Sequence, residues 1–304
     1  MIWLIGNKGM LGTELSLLLE RQKLPFTGTD RELDITDREA LFSFAEKFQQ
    51  NKTKSLALEN IDWIINCAAY TAVDKAEDDS ENCRLLNSEA AGNIAAVAGK
   101  TGAKLIHIST DYVFNGNGTR PYTEEDETDP IGVYGLTKRD GEIKVLEEND
   151  KSFIIRTAWL YGKCGNNFVH TMIRLMNNND EVKVVDDQRG SPTWTYDLAA
   201  TVLNFIDSVD SGKKIPFGIF HYTNEGDISW FDFAREILVQ GKKHNCIRRD
   251  CVVTPCTSDD FPAKVKRPAY SVMDKSKIKA ALEIEIPAWD ASLKGFFHSY
   301  ANPK

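Results

Sequence analysis

The chain has 304 residues, of which 42% are hydrophobic and 27% charged, a composition typical of a globular protein. That length suits one large domain plus a smaller one, or two comparable domains. Its formal net charge is -8 and its pI about 5.3, which argues against a nucleic-acid or membrane-surface binder, although a local group of Arg and Lys could bind a small anion. No apolar run approaches the ~18 residues of a membrane span, and the amino terminus lacks the pattern of a signal peptide. We therefore expect a cytoplasmic protein that binds neither nucleic acid nor membranes.

The six cysteines are scattered and form no Cys-x-x-Cys pair. Cys246, Cys251 and Cys256 lie near His244, but structural zinc modules space their ligands more tightly and in pairs. We therefore predict reduced thiols and no metal site.

The amino terminus has the pattern of a phosphate-binding βα unit. An apolar strand, Ile2–Ile5, precedes three glycines and a helical pattern of leucines. The glycines are Gly6, Gly9 and Gly12, with Met10 and Leu11 between the last two. Glycine permits a tight turn and a close approach of backbone to a pyrophosphate, which the amides at the helix start attract. The spacing is not the Gly-x-Gly-x-x-Gly of ordinary dehydrogenases, and a glycine-rich turn without a ligand is the alternative.

The second strand, Phe26–Thr29, ends at Asp30. A carboxylate at this point commonly accepts hydrogen bonds from the adenosine ribose, which favours NADH, whereas the neighbouring Arg31 could bind the 2′-phosphate of NADPH. The sequence leaves both cofactors open.

Further strands at Trp63–Asn66, Lys104–Ile108 and Phe153–Thr157 alternate with helical segments. This order predicts an α/β fold with a Rossmann-type, doubly wound parallel sheet, whose ligands bind outside the carboxyl ends of the strands. The small residues that follow the third strand and the polar residues that follow the fourth are therefore candidates for a site. Residues 49–60 are polar and are predicted to be a surface insertion.

A tyrosine and a lysine four residues apart, Tyr134 and Lys138, open the helix after the fourth strand. On a helix they share one face, and the lysine charge would lower the pKa of the phenol towards working pH. A phenol so tuned can exchange a proton with a carbonyl or alcohol during hydride transfer. Seen alone, such a pair is more often a packing feature.

The second half of the chain has no further glycine motif and no repeat. Its helical patterns at residues 166–177, 195–205, 230–238 and 275–282 alternate with short strands. We predict a cofactor-binding domain over residues 1–160, and a smaller substrate-binding lobe over residues 161–304 that lends late strands to the main sheet.

These motifs together resemble the extended short-chain dehydrogenase/reductases, and most closely the dTDP-4-dehydrorhamnose reductase family. The matching segments are Asn66–Glu77, Ser109–Gly116, Val133–Lys138, Arg156–Trp159, Gly165–Phe168 and Arg267–Pro268. The resemblance covers nearly the whole chain. It implies reduction of a nucleotide-linked 4-keto sugar by NADPH or NADH, for the synthesis of dTDP-L-rhamnose.

The resemblance also implies roles for individual residues. Tyr134 would protonate the C4 oxygen, Lys138 would lower its pKa and bind the nicotinamide ribose, and Thr110 would bind the carbonyl oxygen. Asp111 and Trp159 would contact the sugar. The remaining cofactor contacts would be Gly9, Met10 and Leu11 at the pyrophosphate, Asp30, Asp34 and Ile35 at the adenosine, and Ala69, Tyr70 and Thr71 along the cofactor.

Three residues are placed near the substrate diphosphate on chemistry alone, because a pyrophosphate is bound well by guanidinium groups. They are Asn167, Arg189 and Arg267. The alternative for them is a surface or interdomain ion pair.

Two rival functions remain. One is a reductase or epimerase of another nucleotide-linked 4-keto-6-deoxy sugar, and the other is a cofactor-binding regulatory subunit like the β subunit of methionine adenosyltransferase, which resembles these reductases. Some family members place Mg²⁺ between the subunits of a homodimer. The carboxylates that bind it have no clear match here, so the sequence does not support Mg²⁺ and leaves a homodimer open.

Overall fold

The computed structural model describes residues 1–49, 60–261 and 263–301. Residues 50–59, which form most of the predicted surface insertion, lie outside them. The strands are β1 Ile2–Ile5, β2 Phe26–Thr29, β3 Trp63–Asn66, β4 Lys104–Thr110, β5 Ser152–Thr157, β6 Leu160–Tyr161, β7 Glu181–Val185, β8 Arg189–Gly190, β9 Thr193–Trp194, β10 Gly218–His221, β11 Ile228–Ser229 and β12 Val252–Cys256. The helices are α1 Met10–Gln22, α2 Arg38–Gln49, α3 Val73–Ala76, α4 Ser80–Arg84, α5 Ala90–Thr101, α6 Val133–Glu148, α7 Phe168–Asn178, α8 Thr195–Asp210, α9 Trp230–Lys243, α10 Ser276–Leu282 and α11 Trp289–Ala301.

The main sheet has six parallel strands in the order β10-β5-β4-β3-β1-β2. Alternate residues of its central strands bury opposite faces, because successive side chains of a strand point to opposite sides. Leu4 and Ile65 pack with leucines of α1 and α8. Trp3 and Ile64 pack with α2 and the alanine-rich face of α5. Helices therefore cover both faces, and the predicted doubly wound α/β fold is confirmed.

The order in which strands are added to the sheet reverses at β1. Strand β2 lies on one side of β1, and β3, the next strand along the chain, lies on the other side. Connections leaving β1 and β3 diverge at such a point and open a crevice at the carboxyl ends of the strands. The crevice lies between Gly6, directly after β1, and Cys67, directly after β3.

The second half of the chain contributes to both parts of the molecule. Strand β10 extends the main sheet by pairing with β5. A separate apolar core forms among α7, α9, α11 and β7, around Phe233 and Phe296. Sequence patterns did not reveal the two-residue strands β6, β8, β9 and β11, because segments so short carry little periodicity, and they also missed the 13-residue helix α11. The division of the chain at residue 160 stays a prediction.

No helix within the described ranges is long and apolar enough to cross a membrane.

Candidate active site

The glycine loop is shaped by backbone contacts that leave no room for side chains. Gly6 has φ +77°, and a Cβ there would lie 2.8 Å from the Ala68 nitrogen. A Cβ on Gly12 would lie 2.0 Å from the Gly6 carbonyl oxygen. Gly9 caps α1 without any side-chain hydrogen bond, so no side chain competes for the amides of the first turn. Such a helix start suits a pyrophosphate.

A cavity of about 640 Å³ opens beside this loop, in the crevice between β1, β2 and β3. Its walls include residues predicted to bind the cofactor: Gly6, Gly9, Asp30, Asp34, Ile35 and Ala69. The Asp30 carboxylate accepts hydrogen bonds from the backbone amides of Lys8, at 3.2 Å, and Arg31, at 2.9 Å. Arg31 lines the same cavity, so the carboxylate that favours NADH and the guanidinium that favours NADPH both border it.

A second cavity, of about 560 Å³, continues from the first, since Gly9, Cys67 and Ala69 border both. Its wall brings together predicted residues from five separate segments of the chain. They are Met10, Leu11, Thr71, Thr110, Asp111, Tyr134, Lys138 and Trp159. Tyr70 borders neither cavity; its hydroxyl donates to Asp79 at 3.2 Å.

Tyr134 lies in the first turn of α6, and the side chain of Thr110, the last residue of β4, acts on its phenol. The Thr110 hydroxyl donates to Asp111 at 3.0 Å and accepts from the Tyr112 amide at 3.2 Å, which holds it in place. Burial raises the pKa of Tyr134 to about 12, and the Thr110 side chain offsets only part of this. At neutral pH the phenol is protonated and can act as an acid.

The structure corrects the expected effect of Lys138 on Tyr134. The lysine charge is not among the groups that shift the phenol pKa, which rises instead of falling. The Lys138 ammonium is buried and donates to the Ile108 carbonyl at 2.6 Å. Burial lowers the pKa of Lys138 to about 8, against an opposing effect of the Glu142 carboxylate. Desolvation, which sequence spacing does not reveal, raises the pKa of Tyr134 and lowers that of Lys138.

An ion pair supports the floor of the site. Glu142 of α6 accepts two hydrogen bonds from Arg156 of β5, at 2.9 and 2.7 Å, and one from Ser109 at 2.5 Å. Both charged side chains are 3% exposed. This network ties α6 to the ends of β4 and β5, next to Thr110.

A third cavity, of about 150 Å³, lies on the lobe side. Trp159 and Trp230 line it and stack at 3.5 Å between ring centroids, with 8° between their planes. Trp159 has φ +48°, an uncommon conformation for so large a residue, which turns up where function or packing demands it. Sequence reasoning missed Trp230 and Gln188, which lies in the same wall; a tryptophan opening a predicted helix was the available signal.

The three residues predicted to lie near the substrate diphosphate have different surroundings in the structure. Arg267 lines this third cavity, and its Nη2 donates to Asp74 at 2.6 Å. Arg189 instead pairs with Asp227 at 2.8 Å and lines no described cavity, which is the ion-pair alternative. Asn167 is a helix cap: its side chain accepts from the His170 amide at 3.1 Å and donates to the Gly162 carbonyl at 2.9 Å. Its placement at the diphosphate is not supported, because both polar atoms are used internally.

Buried polar residues behind the cavities also escaped sequence reasoning. Asn87 lies in a π-helical segment, Leu85–Glu89, inside the predicted long helix, and bonds both backbone groups of Tyr70. His107 and Asn66 lie behind Lys138. For Asn66 and His107 the available signal was a polar residue within an apolar strand.

Within residues 1–49, 60–261 and 263–301, no group of three or more His, Cys, Asp or Glu side chains is arranged to hold a metal ion. All six cysteines are free thiols.

Comparison with known proteins places the chain in a family. The model of the RmlD substrate binding domain matches residues 1–302. A dTDP-4-dehydrorhamnose reductase of Streptomyces griseus is 42% identical, over 97% of this chain and 92% of its own. A dTDP-4-keto-6-deoxy-D-glucose reductase of Streptomyces niveus is 36% identical, over 97% and 96%.

Solved structures agree. The dTDP-4-dehydrorhamnose reductase of Bacillus anthracis, in complex with NADP, is 35% identical and superposes with a TM-score of 0.87 over 98% of each chain. The resemblance read from the motifs is thus confirmed over the whole length of the chain. This chain belongs to the RmlD family, which includes the dTDP-4-dehydrorhamnose reductases.

Proposed function

We propose that this chain reduces the C4 keto group of dTDP-4-dehydro-L-rhamnose to the alcohol of dTDP-L-rhamnose, with NADPH or NADH as the reductant. One observation carries the proposal. Thr110, Tyr134 and Lys138, which come from β4 and α6, meet in the wall of a cavity that continues into the crevice beside the glycine loop. A dinucleotide lying along the crevice would bring its nicotinamide to these side chains.

The residues of the chain supply the proton and the electrostatic field. A bound nicotinamide would supply the hydride to C4. Tyr134, protonated because burial raises its pKa to about 12, gives its proton to the C4 oxygen. To stabilise the negative charge that develops on that oxygen, the Thr110 hydroxyl would turn its single hydrogen from Asp111, 3.0 Å away, towards the substrate. The Lys138 ammonium would bind the nicotinamide ribose, the other role that the family resemblance implies for it.

The lobe offers groups suited to a sugar diphosphate. Trp159 and Trp230 form a flat aromatic surface on which a sugar ring can pack. Arg267 Nη1 is buried and, within the described part of the chain, has no hydrogen-bond partner. A buried unpaired guanidinium nitrogen is costly, and a diphosphate oxygen would satisfy it. We assign the diphosphate to Arg267, and the sugar to the tryptophan pair.

In the wider setting, we place the enzyme in the cytoplasm, where dTDP-L-rhamnose would be made for a cell-surface polysaccharide. A homodimer is the assembly that family resemblance suggests. Size-exclusion chromatography with light scattering would measure it directly.

One assay tests the proposed function. Purified chain is mixed with NADPH, and separately with NADH, in the presence of dTDP-4-dehydro-L-rhamnose, and cofactor absorbance is followed. We expect oxidation with this sugar and formation of dTDP-L-rhamnose, identified by chromatography. Oxidation only with another 4-keto sugar, as the name of the Streptomyces niveus relative suggests, would replace this substrate. Tight cofactor binding without oxidation of any such sugar would favour the regulatory subunit.

A further inference from the structure

A row of three buried polar side chains runs behind the proposed site. Asn66 of β3, His107 of β4 and Lys138 of α6 are 2%, 1% and 2% exposed. Asn66 Nδ2 lies 3.0 Å from His107 Nδ1, and His107 Nε2 lies 3.4 Å from Lys138 Nζ. The row therefore connects two strands of the sheet to the lysine, and His107 occupies its centre.

The Asn66 amide decides which nitrogen of His107 carries the proton. Asn66 Oδ1 accepts a hydrogen bond from the Ala68 backbone amide at 3.0 Å, and a backbone N–H can only donate. The amide is thus oriented with Nδ2 towards the imidazole, and Nδ2 can only donate as well. His107 Nδ1 must accept, so a neutral ring carries its hydrogen on Nε2.

This tautomer points an N–H at Lys138. An ammonium group has three donors and no acceptor, so His107 Nε2–H and a charged Lys138 face each other as two donors. A neutral amine has a lone pair that can accept from Nε2–H, and it can still donate to the Ile108 carbonyl at 2.6 Å. The hydrogen-bond pattern is complete only when Lys138 is neutral.

Other groups act on Lys138 as well. Burial is the largest influence and lowers its pKa to about 8, while the carboxylate of Glu142 raises it. The titratable groups that surround it are Cys67 after β3, Cys83 on α4, Tyr134 and Glu142 on α6, and His107 on β4. Glu142 is itself paired with Arg156. His107 has a pKa well below its ordinary value, because of burial and the Lys138 charge, so it stays neutral.

We propose that His107, held as the Nε2–H tautomer by Asn66, is a positioning residue that donates to Lys138 Nζ and favours the neutral amine over the ammonium. The effect of His107 on turnover rests on the proposed function. Lys138 is proposed to bind the nicotinamide ribose, and the ammonium has three donors for the ribose hydroxyls, so turnover declines as pH rises and Lys138 loses its proton. His107 brings that decline closer to neutral pH than burial alone would.

The tautomer can be measured without any turnover. Long-range ¹H–¹⁵N correlation spectra distinguish Nε2–H from Nδ1–H imidazoles, and the chain has five histidines to assign. Single substitutions of the other four identify His107 by elimination. We expect the Nε2–H tautomer in the free protein and in its NADP⁺ complex. The Nδ1–H tautomer or a protonated ring in either would overturn the proposal, even if the chain proved to be no reductase.

The pH profile of kcat/KM supplies the second test. In His107→Gln the side-chain oxygen can accept from the ammonium, so the alkaline limb should move to higher pH by about one unit. His221→Gln is the matched control. His221 is equally buried and also faces a cation, with Nε2 3.4 Å from Arg156, but it does not touch Lys138.

The control should leave the alkaline limb in place. A limb that stays in place or moves to lower pH in His107→Gln would contradict the proposal. If that variant does not fold, the tautomer measurement on the unaltered chain decides. If no 4-keto sugar is reduced, the proposed function fails while the tautomer result still stands.

Discussion

Replacing Arg156 by methionine should be among the most damaging single changes in the chain. The substitution keeps the volume roughly similar but leaves the Glu142 carboxylate buried; of the three side-chain hydrogen bonds that the described residues donate to it, the one from Ser109 remains. Removing one partner of a buried ion pair costs about 3–5 kcal/mol, because an uncompensated charge remains in a medium of low polarity. That is a large share of the ~5–15 kcal/mol that stabilises a typical domain.

The assay is equilibrium unfolding in urea, with Arg249→Met as the matched control. Arg249 also contacts a carboxylate, that of Asp180 at 2.5 Å, but the two side chains are 46% and 83% exposed. Water screens such a pair, so the control should lose no more than about 1 kcal/mol.

A double variant, Arg156→Met with Glu142→Met, tests whether the lost stability comes from the unpaired Glu142 carboxylate. Removing both charges should recover much of the lost stability, since the penalty comes from the unpaired carboxylate. A cost for Arg156→Met as small as that of the control would refute the reasoning. So would a double variant less stable than Arg156→Met alone.

Three further outcomes are expected. Tyr134→Phe removes the proposed acid and should lower kcat by about 10²- to 10⁴-fold while cofactor affinity, measured by titration, is retained; near-normal turnover would rule out the assignment. Burial raises the pKa of Asp111 to about 6, above its unfolded value, so its contribution to stability is present below pH ~4 and lost as pH rises through ~6. The free energy of unfolding of Asp111→Asn, measured in urea relative to that of the unaltered chain, should therefore rise by about 3 kcal/mol between pH ~4 and pH ~6. A difference that does not depend on pH would contradict this. Gly12→Ala places a Cβ 2.0 Å from a backbone oxygen and should weaken cofactor binding, whereas in Gly92→Ala, on α5 and outside the glycine loop, the new methyl lies 3.2 Å from the Lys144 Cβ, a milder contact; calorimetric titration with NADP⁺ showing equal affinities for both would count against the tight loop.

The sequence by itself determined the features that depend on near neighbours in the chain. The apolar run of β1 and the glycines after it predict a strand, a turn and a helix start, because each is a local conformational preference. Four-residue spacing puts Tyr134 and Lys138 on one helix face for the same reason. The alternation of strands and helices was enough to predict a parallel sheet and to place Thr110 and Asp111 at its ligand-binding edge.

Tertiary structure alone decided what surrounds these residues. Trp159 and Trp230 are far apart in the chain and stack only because the lobe folds back onto β5 and β6. The sequence left Asn167 and Arg189 open between a diphosphate contact and an ion pair. In the folded chain Asn167 accepts a hydrogen bond from the His170 amide as the cap of α7, and Arg189 pairs with Asp227.

The proposed acid and its lysine illustrate the division most clearly. Spacing predicted that Lys138 lowers the pKa of Tyr134, whereas in the folded chain the Tyr134 pKa is raised and that of Lys138 is lowered. Burial in a medium of low polarity disfavours the charged form of each group, and this effect outweighs their helical spacing. The sequence places the two side chains side by side; the packing of β3, β4 and α6 around them sets their charge.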